Sequence, residues 1–156
     1  MENNNFNAKK ALMLTRMIWF VLLTGILFFF VVALTMSSQT TFSVDFSEPL
    51  FLLLLVLTCT SIPVGFFASK KYYRKADPLP YLSAKYPFYQ SGLLIRMATC
   101  EGISLFSIVC LIITNNLFSL VFLAVSIIVL IMYFPNPSVI GSDLNLTESE
   151  IEQFYI

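Results

Sequence analysis

Long apolar runs, each about as long as a bilayer is thick, constrain this chain more than any other feature. A hydrocarbon core about 30 Å thick is crossed by roughly 20 apolar residues in a helix. Residues 11–36, 49–69, 93–114 and 117–134 are long and apolar enough to do so. Each is apolar all round rather than along one stripe, as a segment surrounded by lipid or by other helices must be. Of all residues, 58% are hydrophobic and 12% charged, about half the charge of an ordinary soluble domain and too little to cover a water-facing surface. The expected fold class is all-α: an integral membrane four-helix bundle of two antiparallel transmembrane hairpins, forming one domain over residues 1–156.

The first run follows Lys9 and Lys10, as the apolar region of a secretory signal would. It is longer than the roughly 7–15 residues such a region needs, and no small-residue cleavage site follows, so a retained anchor is expected. Asn115 and Asn116 alone separate the last two runs. Asparagine suits a tight hairpin because its side chain satisfies local backbone groups and it tolerates left-handed backbone.

The nine basic residues all fall on one side of this arrangement. Lys9, Lys10 and Arg16 lie at the start of the first run; Lys70, Lys71, Arg74, Lys75 and Lys85 lie in the loop 70–92; Arg96 begins the third run. The opposite loop, 37–48, holds Asp45 and Glu48 but no lysine or arginine. The positive-inside rule then predicts a cytoplasmic amino terminus, loop and carboxyl tail (135–156). All seven tyrosines belong to the same side, where an interfacial belt is expected. The formal net charge is zero, so nothing draws the chain to nucleic acid. The bilayer is the expected partner, with a second copy or another membrane protein beside it.

Catalytic chemistry has few footholds. Cys59, Cys100 and Cys110 each lie inside an apolar run, and there is no histidine. That excludes histidine-ligated haem and argues against a disulfide framework or a zinc site. With no glycine-rich phosphate loop, nucleophile elbow or paired carboxylates, neither enzymatic activity nor a cofactor is expected.

Glu101 is the principal candidate for function. It falls in the third run, about 20 Å from the outer boundary by the helical rise. A carboxyl at that depth is costly and is expected to face the bundle. Thr58, Thr60 and Ser61 precede Pro63, which removes the hydrogen bond the Cys59 carbonyl would accept. Together these groups are candidates for holding a proton or a small cation. Arg16 and Arg96 are the candidate charge partners of Glu101, although Arg96 is expected to snorkel to the headgroups. Lys70, Lys71, Arg74, Lys75 and Lys85 are candidates for binding lipid headgroups. Pro78, Pro80 and Pro87 should allow no more than a short interfacial helix between residues 70 and 92. In the tail, Thr147 and Glu150 have capping-box spacing and predict a short acidic helix that sits against the basic loop.

The stretch Tyr89-Gln-Ser-Gly-Leu-Leu-Ile-Arg-Met-Ala-Thr-Cys-Glu-Gly, with the Asn115–Asn116 hairpin and the Pro-Asn-Pro exit, resembles small uncharacterised four-span bacterial membrane proteins over residues 85–146. The resemblance implies an inner-membrane location and no particular activity. The leading expectation is a non-enzymatic accessory or scaffold protein. The alternatives are a small proton- or cation-linked transporter using Glu101, and a protein that binds anionic lipid through the basic loop.

Overall fold

The computed structural model describes residues 6–37, 41–42 and 48–155, so most of the outer loop, Asp45 included, lies outside the described residues. Helix α1 (Ala8–Met36) is opened by Asn7, whose side chain accepts the Lys10 backbone N–H at 2.9 Å. Helix α2 (Pro49–Ala76) has proline in its first turn, where the missing N–H is harmless. Helices α3 (Leu82–Thr114), α4 (Ser119–Met132), α5 (Pro137–Leu144) and α6 (Glu148–Glu152) follow.

Three of these helices are long and apolar enough to cross a membrane, and a fourth span is reached if α4 and α5, bent by 83°, are taken together. The helices run past the apolar stretches. α2 continues to Ala76 and α3 starts at Leu82, so only residues 77–81 connect them and the loop expected over 70–92 is mostly helix. Pro87 lies inside α3, where it removes only the bond to the Ser83 carbonyl, one turn from the helix start. Hydropathy marks where lipid ends. Helix continues beyond that point because lysine and tyrosine are at home in the headgroup layer.

α3 is the axis of the bundle and packs against α1, α2, α4 and α5. Fifteen of its 33 residues are buried, against six of 29 in α1 and six of 28 in α2, so both of these helices lie outside it. The expected first hairpin is not a packed pair: α1 and α2 lean on α3 rather than on each other. The polar residues of α1 explain its position. The Thr15 and Tyr86 hydroxyls share a 2.8 Å hydrogen bond, and Trp19 Nε1 donates to the Leu130 carbonyl at 2.9 Å while its ring meets Phe134 edge-on.

Small residues set the closest approaches. Gly65 of α2 lies against Thr99, and Gly92 of α3 lies against Ser69 and Tyr73. Between α3 and α4, the Ser104 and Ser126 hydroxyls meet at 2.7 Å, fully buried. The asparagine turn forms as expected. Asn115 takes a left-handed φ of 51° and its N–H returns to the Leu111 carbonyl, while the Asn116 side chain accepts the Phe118 N–H at 3.0 Å. Thr41 closes this end: its N–H donates to the Asn115 carbonyl at 2.9 Å and its carbonyl accepts the Leu117 N–H at 2.8 Å.

The two glycines of α3 should answer substitution in opposite ways. A Cβ at Gly92 would collide with the Tyr73 ring and lie 3.1 Å from the Ser69 carbonyl oxygen, whereas one at Gly102 meets nothing within 4 Å. Gly92→Ala should destabilise the α2–α3 contact by about 1–3 kcal/mol. Gly102→Ala should be neutral or stabilising by up to about 1 kcal/mol. Thermal unfolding in detergent reads both, and equal effects would contradict this packing.

Candidate functional site

The densest polar chemistry lies where α2, α3 and the tail meet. Arg96, in α3 about 27 Å from its outer end by the helical rise, is only 4% exposed. An isolated cation there would be costly to bury. Three elements, α2, α5 and the end of α4, compensate it. Its Nε donates to Ser69 Oγ at 2.6 Å and its Nη1 donates to Asp143 Oδ2 at 3.1 Å. The guanidinium also lies near the rings of Tyr73 (4.9 Å), Phe66 (5.1 Å) and Tyr133 (5.1 Å), within cation–π range. The planar, weakly hydrated guanidinium suits such a box better than an ammonium. Nη2 makes no hydrogen bond among the described residues, nor do the stacked Tyr73 and Tyr89 hydroxyls. Tyr73 lies beside Ser69, whose own hydrogen goes to the Phe66 carbonyl.

Three further ties hold the tail beneath the bundle. Lys85 pairs with Glu150 at 2.9 Å, Asn145 donates to Asp77 at 3.2 Å, and Arg16 donates to the Pro135 carbonyl at 3.1 Å and the Asn136 side chain at 3.3 Å. Ile140, Leu144 and Phe154 are buried behind these contacts. The expected capping pair is present, with Glu150 Oε2 accepting the Thr147 N–H at 2.9 Å. Partial burial works against ionisation of Glu150. The Thr147 N–H and the Lys85 ammonium together outweigh it and hold the carboxyl below the usual glutamate range.

The structure redistributes the residues singled out in the sequence. Pairings Gly65–Thr99, Ser69–Arg96 and Tyr73–Gly92 set the α2–α3 register and put Glu101 level with Pro63, as its depth predicts. Its face differs. Thr99 and Gly92 point at α2, and Glu101 lies about 180–200° round the helix from both. Glu101 is therefore not brought together with Thr58, Thr60 and Ser61. Thr58 is buried and donates to the Leu54 carbonyl, Thr60 is exposed and donates to Val56, and Ser61 is half-buried. Glu101 is half-buried and makes no hydrogen bond or ion pair among the described residues.

The candidate charge partners are engaged elsewhere, Arg16 at the exit of α4 and Arg96 at Asp143. Arg96 does not snorkel, because Asp143 folds back to meet it. Of the basic group, Lys70, Lys71, Arg74 and Lys75 are exposed, whereas Lys85 is 9% exposed and held by Glu150. The tyrosines do not form a single belt: Tyr73, Tyr86 and Tyr89 belong to the core. Asp143 was the residue the sequence reading missed. Its one signal is isolation, as it is the only charged residue between Glu101 and Glu148.

Fold and composition together fit a membrane-embedded helical protein, with three helices long and apolar enough to span a bilayer and a fourth span if α4 and α5 count as one. The chain matches no known family model, and no curated protein or solved structure matches it.

Asp143→Ala should leave the Arg96 guanidinium buried without a countercharge. The expected loss is about 3 kcal/mol, the low end for a buried pair, since Asp143 keeps 21% of its side chain exposed. Thermal unfolding reads the loss, and hydrogen exchange should rise first in α5. For Glu150, a lowered pKa means the stabilisation is complete above the ordinary glutamate value and disappears as pH falls through the folded value beneath it. Protection of the α6 amides, taken relative to the intrinsic exchange rate at each pH, should therefore be flat from neutral pH down to the ordinary glutamate range and fall only below it. Loosening at pH 6 would contradict the Lys85–Glu150 tie.

Proposed function

We propose that the chain is a four-span protein of a bacterial inner membrane, with both termini cytoplasmic, that acts without chemistry of its own as a component of a membrane assembly. The observation that carries this reading is Glu101, a half-buried carboxyl in a membrane-length helix with no partner among the described residues. Its neighbours Ala98 and Gly102 are small and exposed, so another helix can come close on this face. The partner is a transmembrane helix that presents a basic or hydrogen-bond-donating side chain at this depth, where such a contact relieves the cost of the carboxyl. The orientation rests on the basic residues, which gather at the end of the bundle where the tail docks.

A transporter would use the same carboxyl. The separation of Glu101 from the hydroxyls of α2 favours assembly over a transport path, since those groups do not line one route.

Purification in a mild detergent should bring a stoichiometric membrane protein with the wild-type chain. Glu101→Leu should lose that protein while the chain melts unchanged. Isolation of the wild-type chain alone in several mild detergents, or Glu101→Leu retaining the partner fully, would sink the proposal. Proton- or cation-driven flux in liposomes of the lone chain, abolished by Glu101→Gln, would establish the transporter instead.

A further inference from the structure

Two depressions adjoin at the basic end of the bundle. One is a groove of about 460 Å³ lined by Phe67, Lys70, Lys71, Arg74 and Lys75. The other is a cleft of about 340 Å³ between the last turns of α2 and α5, reaching Tyr73, Ser142 and Asn145. Lys70 and Arg74 line both, so the two share a wall.

The charge in this region is unbalanced toward cations. The groove has four basic side chains on its wall and no acid. In the cleft Arg96 balances Asp143, while Asp77, hydrogen-bonded to the neutral Asn145 amide, leaves one negative charge against Lys70 and Arg74. Arg74 and Lys75 complement the carboxyl end of α2, but Lys70 and Lys71 lie a turn earlier, beyond what the helix dipole calls for. The cleft wall adds the polar side chains of Ser142 and Asn145 beside Lys70 and Arg74.

Phe67 identifies the source of the anion. Its side chain is 69% exposed, one turn toward the membrane from Lys70 and Lys71. Cations beside an exposed aromatic ring at the rim of a membrane helix match the two halves of a phospholipid, phosphate and acyl chain. A water-soluble phosphate would make no use of Phe67.

We propose that groove and cleft form one binding site for an anionic glycerophospholipid. The phosphate lies between Lys70 and Arg74, the headgroup hydroxyls enter the cleft against Ser142 and Asn145, and an acyl chain runs along Phe67. This goes beyond the assembly reading and does not involve Glu101, so either can fail without the other.

The test titrates the full chain in neutral detergent with dioleoyl-phosphatidylglycerol and dioleoyl-phosphatidylcholine, read by native mass spectrometry. Phosphatidylglycerol should bind roughly tenfold tighter than phosphatidylcholine or more, at about 1 kcal/mol per basic contact. Lys70→Ala with Arg74→Ala should lower its affinity about thirtyfold, with phosphatidylcholine unchanged. Both residues are exposed, so folding should survive. Lys70→Arg with Arg74→Lys should restore binding, whereas Lys9→Ala with Lys10→Ala should not alter it. Equal affinity for the two lipids, or a Lys70/Arg74 double variant that binds like wild type, would overturn the site. Displacement of phosphatidylglycerol by inorganic phosphate at matched concentration would overturn the lipid assignment.

Discussion

A guanidinium at the rim of a membrane bundle has to be paired wherever the chain can supply a partner, and the packing of this molecule follows from how Arg96 is paired. Arg96 belongs to α3, accepts Ser69 and two rings from α2 as neighbours, touches Tyr133 at the end of α4, and pairs with Asp143 of α5. Asp143 can reach it only if the chain reverses after α4. The Pro135 and Pro137 exit permits that reversal, and α5 leaves α4 at 83°. Once α5 is turned, Ile140 and Leu144 are carried under the bundle and buried, and Asn145 comes within hydrogen-bond reach of Asp77.

The two ends of the molecule are closed by different physics. At the outer end, backbone groups do the work, through the left-handed Asn115 turn and its pairing with Thr41. No long charged side chain takes part in those contacts. At the basic end, charged side chains of α1 and α3 reach the tail, and apolar residues fill the space behind them. The tail supplies acids and carbonyls to the basic residues of α1 and α3. This division keeps costly groups out of the hydrocarbon layer, with Glu101 the exception.

How far the sequence carries can be argued residue by residue. Three of the four expected spans were legible as long apolar helices, because a long uncharged run admits few alternatives, whereas the fourth gives a 14-residue α4 that reaches membrane length only together with α5. The asparagine turn and the Thr147–Glu150 cap were legible because each is a local arrangement of a few atoms. The depth of Glu101 was also legible, since depth follows from counting along one helix. Its face was not, because that depends on which side of α3 receives α2. Gly65 and Gly92 decide this, and a glycine in an apolar run can mark a contact within the bundle or none, as Gly25 shows. Arg96 illustrates the same limit. Snorkelling was the reasonable expectation for an arginine near a helix end, and it fails because a distant aspartate returns through a turn that local pattern does not specify.

The pair Arg96–Asp143 is better understood as a positioning device than as a source of stability. Well-packed apolar residues often replace a buried ion pair without loss, because desolvation offsets much of the attraction. An apolar α5 would bury as readily in lipid as beneath the bundle, since the two environments differ little for leucine or valine. A carboxylate facing a guanidinium at 3.1 Å removes that freedom. It holds α5 in one orientation against α2, and only in that orientation do Ser142 and Asn145 border the same cleft as Lys70 and Arg74. The polar cluster thus gives direction to a tail that hydrophobicity alone would leave without one, and the surface features of this end depend on that direction.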